Sequence, residues 1–182
     1  MYNWFIEIKL GRGTAVNKKS IIYLILLLVW MVVIFNFSNQ DGDTSLGLSN
    51  DITEKAIDIS SKITNKKLTM YEKKQKILDY RFIVRKSAHF TEYFILGILV
   101  ILNLKNYKIK HIILWSTIFC LVYASTDELH QYFTLARDAR LLDVLIDTSG
   151  SILGIFVVYL LAKDRKNVII NKARRGVSNG RN

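Results

Sequence analysis

Residues 21–37 read IIYLILLLVWMVVIFNF, and the fold turns on what this stretch lacks. A helix of a water-soluble bundle carries a polar stripe about every 3.6 residues, and no such stripe interrupts Ile21 to Phe35. Crossing a hydrocarbon core of roughly 30 Å takes about 20 helical residues, so the stretch reads as a membrane-spanning helix. Lys18 and Lys19 precede it, as basic residues precede a secretory signal. The Ser-Asn-Gln-Asp that follows Phe37 offers no small-x-small cleavage site, so the segment is read as a retained span.

Working outward, three further apolar runs stand at Phe90 to Leu104, Ile112 to Ala124 and Val144 to Ala162. The first and last of the four come near spanning length unaided, while the middle two borrow length from their polar ends. The expectation is an all-α integral membrane bundle of four transmembrane helices at about 21–37, 90–104, 109–126 and 143–162. It forms one membrane domain over 1–182, with a basic tail at 163–182. Composition agrees: the 182 residues are 51% hydrophobic yet carry a formal charge of +11, so apolar and basic residues are segregated along the chain. The lone cysteine, Cys120, excludes an internal disulfide and reads as a small buried hydrophobe. The chain has no proline, so none marks a linker or a domain boundary.

Basic residues orient the bundle. Lys9, Arg12, Lys18 and Lys19 precede span one, Lys105, Lys108 and Lys110 sit between spans two and three, and Lys163, Arg165, Lys166, Lys172, Arg174, Arg175 and Arg181 follow span four. Short loops rich in Lys and Arg stay in the cytoplasm, so both termini are expected there, in a multi-pass protein of the cell membrane. The tail carries no nucleic-acid-binding motif and is read as anchoring against anionic lipid. In the long connection between spans one and two, a turn at Gln-Asp-Gly-Asp precedes Ile52, Ala56, Ile59 and Ile63 at helical spacing. Ser49 or Asn50 is the expected cap of a helix lying partly on the membrane interface. A second helical stretch, Met70 to Val84, is expected to lead directly into span two.

This alternation brings three polar clusters to the outer leaflet. They are Arg85, Lys86, His89, Glu92 and Tyr93; Asp127, Glu128, His130 and Gln131; and Asp143 with Asp147, joined by a loop holding Arg137, Asp138 and Arg140. Lys86, His89 and Tyr93 share a helical stripe, and Asp127–Gln131 and Asp143–Asp147 are i, i+4 pairs. Ionisable groups in a span cost a few kcal/mol or more unless they face partners or a wet cavity, so these faces should meet inside the bundle. Gly150 and Gly154 form G-x-x-x-G, and with Gly97 and Ser151 they are candidates for close helix packing.

Taken together, these residues resemble the VanZ-like membrane proteins. The likeness lies in Phe37-Ser-Asn-Gln-Asp with Ser45 and Ser49, in Arg85-Lys86-Ser-Ala-His89-Phe-Thr-Glu92-Tyr93 with Gly97, in Asp127-Glu128-Leu-His130-Gln131-Tyr-Phe133, in Arg137, and in Asp143-Val-Leu-Ile-Asp147-Thr-Ser-Gly150. It covers roughly Ile21 to Ala162. The resemblance implies a small four-helix protein of the bacterial cell membrane, in a family linked to low-level resistance to teicoplanin and related lipoglycopeptides without an established biochemical mechanism. Where many members carry Pro-Gly before the loop arginine, this chain has Leu135-Ala136-Arg137, so that turn is built differently.

Several functions are compatible with the clusters. An outward-facing polar site would bind an anionic or polar ligand at the outer leaflet through Arg85, Lys86, His89, Glu92, Tyr93, Asp127, Glu128, Gln131, Arg137, Asp143 and Asp147, with Arg85, Lys86, Arg137 and Arg140 holding phosphate or carboxylate while His89 and the acids fix geometry. That ligand would be a lipid headgroup, a lipid-linked cell-wall precursor or a glycopeptide. A membrane-embedded enzyme would use His89, Glu92, Asp127 and Glu128 for proton transfer. A metal variant of it would draw on His89, Glu92, Asp127, Glu128 and His130, but no metalloenzyme spacing is present and no metal is assigned. The same charges could instead only pin the helices together. A transport unit would require an oligomer, because four spans enclose little. No nucleic-acid partner is expected, and the sequence assigns neither cofactor nor oligomeric state.

Overall fold

A computed structural model describes residues 18–107, 109–133 and 141–179, with side chains of the last helix as far as Lys163. Arg137, Asp138 and Arg140 lie outside the described residues. The described chain is helical throughout: α1 Lys18–Ser38, α2 Gly42–Ile63, α3 Met70–Leu104, a 3-10 turn at Lys105–Tyr107, α4 Ile112–Tyr132 and α5 Leu141–Asn179. Four of these helices are long and apolar enough to cross a membrane, over Lys18–Ser38, Met70–Tyr107, Ile112–Tyr132 and Leu141–Lys163.

The distribution of side chains is that of a protein solvated by lipid. Val32, Trp115 and Phe156 are more than half exposed, while Asp147, Gln131, Ser116 and Ser151 are buried. In water this arrangement would strand a large apolar surface; in a bilayer it places hydrocarbon against hydrocarbon and keeps polar groups inside the bundle, away from lipid. The buried apolar core runs along the axis through Leu27 and Ile34 of α1, Tyr93, Leu96 and Val100 of α3, Cys120 and Ala124 of α4, and Ile155 of α5. The chain is therefore a multi-pass membrane protein.

Helix α3 is the central element, packing most extensively on α5 and also touching α1, α2 and α4. The α3–α5 contact depends on residues without side-chain bulk. A Cβ on Gly97 would stand 2.3 Å from the Ser151 carbonyl oxygen, one on Gly150 2.4 Å from that of Phe90, and one on Gly154 2.2 Å from that of Phe94. The backbones meet where the sequence places its small residues, as in other small-xxx-small contacts between spans. Ser151 adds a hydrogen bond across the same seam, its hydroxyl donating to the Tyr93 carbonyl at 3.1 Å.

At 35 residues α3 is about 52 Å long, well beyond the roughly 30 Å of hydrocarbon. Its first turns therefore project past the bilayer, and α2 packs antiparallel against them. Lys73 of α3 bridges Glu54 and Asp58 of α2, both at 2.8 Å. Thr69 and Glu72 close a capping box that starts α3 at the expected Met70. The start of α2 differs from expectation. Asp41, not Ser49 or Asn50, caps it, accepting a 2.6 Å hydrogen bond from the Thr44 amide. Ser49 is instead buried within the helix, its hydroxyl returned to the Ser45 carbonyl. Thr53 and Ile57 are buried, whereas Ile52, Ile59 and Ile63 remain exposed as an apolar stripe of the kind an interfacial helix carries.

Two other boundaries shift. Helix α4 begins only after His111, a residue at φ 55°, and runs on to Tyr132 past the expected end of the span, with the polar Asp-Glu-Leu-His-Gln segment in its last turns, as the i, i+4 spacing of Asp127 and Gln131 implies. Helix α5 continues to Asn179, through most of the segment read as a tail.

Candidate functional site

Three helices converge at the end of the bundle from which α2 and the α3 extension emerge. α3 enters there with Lys86, His89, Glu92 and Tyr93 on successive turns, and α5 enters parallel to it with Asp143 and Asp147. α4 arrives from the opposite direction, ending in Asp127, Glu128 and Gln131. Helical periodicity keeps each set on one face, and the glycine seam sets the depth at which the α3 and α5 sets oppose each other.

The resulting contacts are layered. Outermost, the Lys86 ammonium hydrogen-bonds to Oδ1 of Asp143, a pair whose two side chains are each 16% exposed. Lys86 also lies 5.3 Å from the centre of the Phe82 ring. One turn deeper, His89 Nδ1 lies 3.9 Å from Glu92 Oε2 and 4.0 Å from Asp147 Oδ1. Asp147 is 2% exposed, and its Oδ1 has no hydrogen-bond partner among the described residues. Asp127, Asp143, Glu128 and Glu92 are its charged neighbours. Gln131 donates to Asp127 Oδ2 at 3.3 Å, so the anticipated i, i+4 pair forms. Tyr93 is fully buried, with Asp127 and Asp147 as its charged neighbours. Arg85 is half-buried, and its Nε has no hydrogen-bond partner among the described residues.

Among the described residues, acidic side chains outnumber cationic ones here. Five carboxylates, Glu92, Asp127, Glu128, Asp143 and Asp147, share one neighbourhood, and α3 offers Lys86, already bound to Asp143, His89 and the adjacent Arg85. Such crowding in a poorly solvated site carries a large desolvation cost unless cationic groups offset it. An ammonium or other multiple hydrogen-bond donor is the chemical complement of that surplus. No group of three or more His, Cys, Asp or Glu among the described residues is arranged to hold a metal ion.

One anticipated member is directed elsewhere. His130 stacks on Phe35 of α1, ring centres 4.9 Å apart, and its Nε2 is 3.3 Å from Asn39 Oδ1. Lying one residue from Gln131, it falls about 100° around the helix and so meets α1. Arg137, anticipated as an anion-holding group, falls outside the described residues.

Grooves flank the bundle. One, of about 430 Å³, runs between α3 and α5 along Phe82, Leu142, Leu145 and Ile146 and ends on Lys86 and Asp143. The Lys86–Asp143 pair therefore borders both the polar cluster and this mainly apolar slot.

The VanZ/LLP1 family profile matches residues 23–162, from the first span to the end of the last. The chain belongs to the VanZ/LLP1 family. No curated protein and no solved structure matches it. The match spans all the converging segments, so the clustered residues of this VanZ/LLP1 chain lie wholly inside the family region.

Sequence reasoning overlooked the contribution of α1. The Trp30 indole N–H donates to the Glu92 carbonyl at 2.9 Å, and the Tyr123 hydroxyl donates to the Met31 carbonyl at 2.7 Å. These bonds fasten α1 to the turn of α3 that carries Glu92 and to α4 just below Asp127. A tryptophan in the middle of an apolar span was the available signal, since its N–H must find an acceptor in hydrocarbon. The Phe82 and Leu142 groove gave no sequence signal, because apolar residues near a span end look alike wherever they point.

Proposed function

We propose that this VanZ/LLP1 protein is an outer-leaflet binding protein for an amphiphile: a molecule with a hydrocarbon chain and a polar, amine-bearing head. The observation that carries the reading is that the groove of Phe82, Leu142, Leu145 and Ile146 is also lined by Lys86 and Asp143, and that Asp143 is a charged neighbour of Asp147 in the carboxylate-rich cluster. A purely structural ion cluster has no need of an apolar approach, and a lipid groove alone has no need of surplus carboxylates. A ligand that inserts its chain from the membrane and its head among Glu92, Asp127 and Asp147 uses both. Amine-bearing lipid headgroups and lipoglycopeptides have this chemistry, and modulation of the envelope's response to lipoglycopeptide antibiotics follows if one of them is the ligand.

The orientation supporting this reading has both termini in the cytoplasm. Lys18, Lys19, Lys105, Lys110 and Lys163 gather at the end of the spans opposite the cluster, as the positive-inside rule requires. The whole spanning region then acts as a single membrane domain with its polar site facing out.

The test is a susceptibility profile against envelope-active antibiotics in a host expressing wild type, Glu92→Gln, Asp127→Asn or the groove-filling Ile146→Trp, with membrane abundance measured in parallel. The proposal expects loss of the wild-type phenotype at undiminished abundance for all three. Loss that merely follows reduced abundance would assign the charges to scaffolding. A second reading, catalysis, is favoured by His89 standing between Glu92 and Asp147, an arrangement suited to general acid–base work. Full phenotype in His89→Gln would remove it and leave binding intact.

A further inference from the structure

At the end of the spans remote from the carboxylates lies a second groove, of about 440 Å³, between the last turn of α3, the start of α4 and α5. Its walls are Ile101, Ile112, Val158 and Ala162, and its rim carries Lys105 and Lys163. The lining includes no carboxylate, and neither lysine is paired with an acid among the described residues. This distinguishes it from the groove at the other end, where Lys86 is already bound to Asp143.

The two properties constrain the occupant jointly. An apolar concavity at this depth of a bilayer is filled by hydrocarbon, because water there would have too few polar partners. Two ammonium groups at the rim, where α3 and α5 leave the hydrocarbon, select a negatively charged head. Lys105 follows directly on α3 and Lys163 closes the spanning part of α5, so one phosphate bridging them would tie together the ends of the two helices with the largest mutual contact. We propose that this groove is a specific site for an anionic phospholipid. One acyl chain lies against Ile101, Ile112 and Val158, and the phosphate sits between Lys105 and Lys163. The site is independent of the amphiphile reading above and persists if that reading fails.

The experiment is native mass spectrometry of the purified full-length chain, with thermal unfolding in the same detergent. The probes are dioleoylphosphatidylglycerol, dioleoylphosphatidylcholine of identical chains, and inorganic phosphate. The wild type is expected to retain phosphatidylglycerol in preference to phosphatidylcholine by roughly fivefold per lysine, and to gain thermal stability from it. Lys105→Gln/Lys163→Gln should lose the preference, Lys110→Gln should keep it, and Val158→Trp should reduce retention of both lipids. Equal retention of the two lipids by wild type would overturn the proposal. So would an undiminished preference in the double glutamine variant, and so would equal stabilisation by inorganic phosphate, which would make this an anion site with no use for the groove. The lysine substitutions lie on exposed side chains, so the preference remains measurable if Val158→Trp does not fold.

Discussion

Nδ1 of His89 on α3 stands 4.0 Å from Oδ1 of Asp147 on α5, a separation longer than a hydrogen bond between two groups held face to face by the glycine seam. A donor positioned beside both atoms reaches each at ordinary hydrogen-bond length. In the binding proposal such a donor is the ligand head, and the Asp147 oxygen, with no hydrogen-bond partner among the described residues, is where an ammonium or hydroxyl gains most.

Asp147→Asn tests this directly. The amide preserves shape while removing one of five crowded negative charges, so thermal stability in detergent should be unchanged or raised, by up to about 2 kcal/mol. The envelope phenotype should be lost. That opposition of stability and activity is the signature of a site kept for function, and a fall in both would show Asp147 to be a structural charge.

The Lys86–Asp143 pair should behave differently because it is largely formed within the protein. Lys86→Met leaves Asp143 without its partner, and a double-mutant cycle with Asp143→Asn should return a coupling of about 1 kcal/mol, modest because both side chains keep some solvent contact. The reversed pair, Lys86→Asp with Asp143→Lys, should recover much of the stability lost by Lys86→Asp alone. Absence of recovery in chemical unfolding would mean that the surrounding charges, not the pair, fix the two positions.

Gly154 and Gly47 provide an internal contrast. A Cβ at Gly154 meets backbone 2.2 Å away, whereas nothing lies within 4 Å of one at Gly47. Gly154→Ala should part α3 from α5, costing about 1–3 kcal/mol as overpacking does and lowering membrane abundance. Gly47→Ala, in the interior of α2, should stabilise by about 0.5–1 kcal/mol. Comparable melting temperatures for the two variants would contradict the seam.

Trp30→Phe and Tyr123→Phe each remove one donor to a backbone carbonyl, and each should cost about 1 kcal/mol. Trp30→Phe should also weaken the envelope phenotype, because its acceptor is the carbonyl of Glu92. Tyr123→Phe acts on Met31 and should change stability with less effect on function. Paired unfolding and susceptibility measurements would reveal any departure from that split.

What residues 21–37 and their counterparts determined unaided was the architecture: helical spans, their number, and the gathering of Lys86, His89, Glu92, Asp127 and Asp147 on one side. Both rest on local quantities, the length of an apolar run and the cost of an ionisable group in hydrocarbon, which force faces inward before any contact is known. The choice of Asp41 over Ser49 as a cap was not legible, because both residue types satisfy a helix start and only packing of Ser49 against its surroundings separates them. Nor was the pairing of Lys86 with Asp143, the turning of His130 toward Phe35, or the docking of Trp30 on Glu92. Those depend on the relative depth and rotation of whole helices, set by backbone contacts at Gly97, Gly150 and Gly154 between segments far apart in the chain. Periodicity states which side chains share a face, and only the assembled bundle states which face meets which.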